Sequence, residues 1–121
     1  MATSTIVRNN KRILYAKQTS SFSVVTSNWT STGLTLTLPK GNWLLLGEYR
    51  ITGANTDAGI NLGYSNKSAE TFHYRGANTN WNHPITLSVI DEITSDTTLR
   101  CHYYTSMAGT ISYVSLIAIE I

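Results

Sequence analysis

Apolar residues recur at every second position in short segments along this chain, and no segment carries a helical period. Leu34, Leu36 and Leu38 alternate with Thr35 and Thr37, the pattern of a strand with one face buried and one wet. Ile85, Leu87 and Val89 alternate with Thr86 and Ser88, and Leu99, Cys101 and Tyr103 alternate with Arg100, His102 and Tyr104. Pro39, Lys40 and Gly41 break the pattern with a turn, since Pro presets one backbone angle and Gly permits the reversal. Eight to ten such strands, separated by Gly, Asn, Ser and Pro turns, predict an all-β antiparallel sandwich or barrel. In 121 residues there is room for one core. Residues 1–10 are expected as an N-terminal arm or linker, and residues 11–121 as a single domain.

The composition fits a folded β-protein with a hydroxyl- and amide-rich surface. Ser, Thr and Asn make up roughly a third of the chain, and charged residues only 13%. Seven Tyr, three Trp and two Phe, with a net charge of +2, are unlike a disordered chain. A charge that small and scattered is no nucleic-acid footprint. No apolar run approaches the length of a membrane span, so no membrane insertion is expected. Nor is a signal peptide expected from the N-terminal residues. The single cysteine, Cys101, excludes an intrachain disulfide and a Cys-based zinc cluster; inside an apolar pattern it reads as packing.

The last segment, residues 110–121, is apolar on both faces. One face holds Ile111, Tyr113, Ile117, Ile119 and Ile121, and the other Val114, Leu116 and Ala118. Residues 43–52 behave alike, with Trp43, Leu45, Tyr49 and Ile51 on one side and Leu44 and Leu46 on the other. A surface strand needs only one apolar face. The second is covered by another copy of the chain, by a second sheet of the same chain, or by its loops.

No catalytic residue is expected. There is no Gly-x-Ser-x-Gly elbow, and Asp91 and Glu92 are adjacent, so alternation points them in opposite directions. His73, His83 and His102 lack metal-ligand spacing, so neither a metal nor a cofactor is expected. The strongest binding candidate is the segment 72–83, expected as a loop region. It gathers His73, Tyr74, Arg75, Asn78, Asn80, Trp81, Asn82 and His83. Aromatic faces stack on the C–H faces of sugars, and amides and guanidinium groups bond their hydroxyls, so the segment suits a saccharide. Trp29 and Tyr64 are weaker candidates.

Two stretches, "LPKGNWLLLGEYRIT" and "TTLRCHYYTSMAGTISYVSLIAIEI", resemble the trimeric jelly-roll heads of the tumour-necrosis-factor and complement globular-head superfamily, which also serve as phage fibre tips. The resemblance implies an antiparallel jelly-roll sandwich of about 8–10 strands that forms a homotrimer. It implies an interface from Leu44, Leu46, Arg100, His102, Tyr104, Val114, Leu116 and Ala118. The expected function is then a non-enzymatic receptor-binding head of a phage tail fibre or similar adhesin. Its partners are further copies of itself and a cell-surface saccharide, in a virion or extracellular setting. A structural trimerisation or decoration module on a virion or spore is the alternative.

Overall fold

In a computed structural model the described residues form ten strands and no helix. Residues 2–53, 56–64, 72–79 and 84–121 are described; for residues 2, 3, 53, 56 and 72–79 the description is of the backbone. The strands are β1 (Ala2–Arg8), β2 (Lys11–Gln18), β3 (Phe22–Ser23), β4 (Thr30–Leu38), β5 (Gly41–Gly53), β6 (Thr56–Gly63), β7 (Phe72–Thr79), β8 (Pro84–Ile93), β9 (Thr97–Thr105) and β10 (Gly109–Glu120). They form two antiparallel sheets, as a β-sandwich does. The first sheet runs β1-β2-β10-β5-β8, with the short β3 also on β10; the second runs β4-β9-β6-β7.

The expected strands are present, though the alternation over residues 22–27 yields only the two-residue β3, and one more strand precedes them. Ala2–Arg8, expected as an arm, pairs with residues Lys11–Lys17 of β2. Its hairpin turn is Asn9-Asn10, both at positive φ (51° and 62°). A two-residue turn needs that conformation at both positions to match the strand twist, and Asn tolerates it better than most side chains.

Alternation carries one face of each sheet into a shared core. Trp43, Leu45, Tyr49 and Ile51 of β5 meet Leu34, Leu36, Leu38, Ile60, Leu62, Leu99, Cys101 and Tyr103 from the second sheet. The polar atoms of the buried aromatics are satisfied. The Tyr49 hydroxyl donates to the Gly59 carbonyl at 2.7 Å, tying one sheet to the other, and the Trp43 indole donates to Pro39 at 3.0 Å across the turn. The Tyr103 hydroxyl oxygen accepts the Val25 N–H at 2.9 Å. Burial pushes the Cys101 thiol up to about 12.

The strand β10 differs from its expected role at an interface. Val114, Leu116 and Ala118 are 0% exposed within the single chain, so they belong to the sandwich core. A bulge between Ile111 and Tyr113 shifts the phase of the strand. Ile111 therefore also points inward, whereas Ile117 and Ile119 point out.

Candidate functional site

The outer face of the first sheet is apolar where a solvated sheet would be polar. Strand register aligns Ile6, Ile13, Ile119, Leu44 and Ile90 in one row across β1, β2, β10, β5 and β8. Four interstrand steps of about 4.8 Å make this row roughly 19 Å wide. Its ends are open, Ile6 being 47% and Ile90 67% exposed. The adjacent row is Ser4, Tyr15, Ile117, Leu46 and Ser88, and the next holds Lys17, Ser115, Glu48 and Thr86. The face thus grades from an apolar half to a half carrying both signs of charge, with Arg50 beyond Glu48.

The same sheet is closed at one end by an ion pair. Arg12 donates through its backbone N–H (2.9 Å) and Nε (3.1 Å) to Glu120 Oε1, and through Nη2 (2.8 Å) to Oε2. The guanidinium also lies 5.1 Å from the Trp43 ring centroid. Hydrogen bonding from Arg12 holds the Glu120 carboxyl well below its ordinary 4.5, at about 2.

The outer face of the second sheet is polar and aromatic. On β9, Arg100, His102 and Tyr104 alternate outward between the buried Leu99, Cys101 and Tyr103. Register sets Thr35 and Gly63 beside Arg100, Ser31 and Asn61 beside His102, and Gly59 beside Tyr104. The Trp29 ring, just before β4, meets the Tyr104 ring at a centroid distance of 5.6 Å and a 49° tilt. A bulge in β4 between Ser31 and Thr35 accompanies this surface. Gly33 (φ +81°) turns the chain there, donating its N–H to Ser31 Oγ at 3.0 Å, while Thr32 Oγ1 bonds the Cys101 carbonyl at 2.9 Å. Trp29 and Ser31 are thereby presented along β9. Together, Trp29, Ser31, Arg100 and Tyr104 offer a ring pair, a hydroxyl and a guanidinium on one rigid surface. His102 (2% exposed) and Asn61 (0%) form its buried floor.

The residues expected at one interface fall on three surfaces. Leu44 and Leu46 lie on the outer face of the first sheet, Val114, Leu116 and Ala118 between the sheets, and Arg100, His102 and Tyr104 on the outer face of the second. No single contact can use all of them, because a sandwich separates the three layers. Of the expected saccharide ligands, His73, Tyr74, Arg75 and Asn78 belong to β7, where a shorter strand was expected over 71–75 within a loop-rich region. Register sets His73 opposite Asn61, Tyr74 opposite Ile60 and Arg75 opposite Gly59, so this strand adjoins the β6–β9 surface. Asn80, Trp81, Asn82 and His83 lie outside the described residues. Tyr64 donates its hydroxyl to Asp91 at 2.6 Å and links β6 to β8, a fastening between the sheets.

Ser31 and Asn61 are not among the residues the sequence singles out, and Trp29 is only a weaker candidate there. Asn61 had a visible signal, a lone amide between Ile60 and Leu62 in a strand pattern. Ser31 had none, since only the pairing of β4 with β9 brings it to His102. Among the described residues, no three His, Cys, Asp or Glu side chains gather as a metal site. No protein-family model matches the sequence, and no curated protein matches it either.

Proposed function

We propose that this chain is the non-enzymatic, trimeric receptor-binding head of a phage tail fibre or similar adhesin, built as a jelly roll and recognising a cell-surface saccharide. The pairing supports the jelly roll. Taking β2, β4, β5, β6, β7, β8, β9 and β10 in order, the first pairs with the last, the second with the seventh, the third with the sixth, and the fourth with the fifth. That nesting is a long hairpin rolled into two sheets, the arrangement of two Greek keys.

The observation that carries the assembly is the apolar row Ile6, Ile13, Ile119, Leu44 and Ile90. A monomer rarely leaves so continuous a row in water. Its occupant is the same face of two further copies, packed about a three-fold axis with Ile117 and Leu46 in support. The face carries Lys17 and Glu48 two rows from the apolar row and Arg50 beyond them, so copies can pair opposite charges at the rim while burying apolar centres. The second sheet then faces away from the axis, and the head, on a virion or otherwise extracellular, presents Trp29, Tyr104 and Arg100 to a cell-surface receptor.

A saccharide panel compares the wild type with Trp29→Ala and Trp81→Ala. The proposal expects binding by the wild type and its loss in at least one variant, because truncating a stacking ring removes the sugar's apolar contact. Binding by none of the three favours the alternative, a purely structural trimerisation or decoration module.

A further inference from the structure

Resting on the saccharide reading above, we infer that the receptor sugar is acidic, with its carboxylate or phosphate held by Arg100 and its ring stacked against Trp29 and Tyr104. Arg100 is half-buried on the outer face of β9, and its Nε is buried without a hydrogen-bond acceptor. An unsatisfied donor is costly, so the half-exposed guanidinium gains by turning its fork to an acceptor that a ligand brings. The guanidinium fork also matches the paired oxygens of a carboxylate or phosphate.

The surroundings suit an anion. Across β4, β6, β7 and β9 the sequence holds one carboxylate, Asp57. It sits at the far end, where its N–H bonds Ser106 Oγ at 3.0 Å. Six residue steps along β9 separate Ser106 from Arg100, roughly 20 Å at the rise of a strand. No acid on these strands therefore competes for Arg100.

The geometry also sets the size of the ligand. Arg100 and Tyr104 are four residues apart, about 13 Å along the strand. A sugar stacked at the ring pair reaches Arg100 only through a neighbouring unit, so the recognised element is an oligosaccharide with its charge displaced from the stacked ring.

The test titrates the full chain with an oligogalacturonide, a phosphomannan fragment and a neutral mannan oligosaccharide, at low and raised salt. An acidic probe should bind at least about tenfold tighter than the neutral one, as a charge-assisted bond is worth. That preference, read as the ratio of acidic to neutral affinity, should weaken with salt and fall to about one in Arg100→Gln. Whichever acidic probe binds identifies carboxylate or phosphate. Equal binding of neutral and acidic probes, or a preference that survives in Arg100→Gln, overturns the acidic assignment while saccharide recognition stands. No binding of any sugar overturns both. If circular dichroism shows Arg100→Gln unfolded, the wild type decides: an acidic preference insensitive to salt refutes the inference.

Discussion

Leu116 is where an interface role and a core role give opposite experimental results. Its side chain is fully buried within the chain, and its register neighbours are Ala16 on β2 and Gly47 on β5. Those small partners mean that no adjacent side chain on the sheet can swing into the space that Leu116→Ala would open. The loss should thus sit in the upper part of the Leu-to-Ala range, about 3–5 kcal/mol. An unfolding entropy of about 2.1 cal/mol/K per residue over this length converts that to a fall in Tm of roughly 12–20 °C. Melting should be followed by near-ultraviolet circular dichroism at several protein concentrations. The drop should persist at every concentration, since the lost contacts are within one chain. Leu44→Ala, on the outer face, should cost less at high dilution and act mainly by making Tm more dependent on concentration. A Leu116→Ala variant that melts within about 3 °C of wild type yet dissociates would show that Leu116 faces a partner.

Three further outcomes follow from the same packing. Glu120 is held at about 2 against an ordinary 4.5, so its contribution to stability is complete above 4.5 and is lost as pH falls towards 2. Glu120→Gln should be less stable than wild type at neutral pH, with the gap closing across that window; a gap unchanged at pH 2 contradicts the Arg12 pairing. Cys101 is 0% exposed with its thiol raised to about 12, so a thiol reagent at mildly alkaline pH should label it only as the chain unfolds. Prompt labelling of the native protein would put it outside the core. A Cβ on Gly109 would stand 2.6 Å from the Thr52 carbonyl oxygen, backbone that cannot step aside. Gly109→Ala should therefore cost about 1–3 kcal/mol in a denaturant titration, and a neutral result would dispute the pairing of β10 with β5.

Much of this fold can be read from the sequence, because period-two alternation is local. Leu34, Leu36 and Leu38 announce β4 and its buried face without any knowledge of the partner strand. The doubly apolar β10 and β5 likewise signal something beyond a surface strand. Which face turns inward is not local information. Both faces of β10 are apolar, and the bulge after Ile111 changes phase in mid-strand, so Val114, Leu116 and Ala118 read equally well as interface or core. The binding surface is harder still. Arg100, His102 and Tyr104 are visibly co-facial, yet only the pairing of β9 with β4 and β6 brings Ser31 and Asn61 to them and separates them from Leu44. The arm at Ala2–Arg8 was illegible for a related reason: its strand character comes from pairing with β2 more than from its own weak alternation.

The claim on which assembly and presentation both rest is that the outer face of the first sheet joins three copies. Light scattering coupled to size exclusion measures this directly. The wild type should elute as a single species of three times the 13.4 kDa chain mass, and Ile119→Lys, which sets a charge at the centre of the apolar row, should elute as one folded chain. A wild type that remains at the mass of one chain at high concentration would contradict the account.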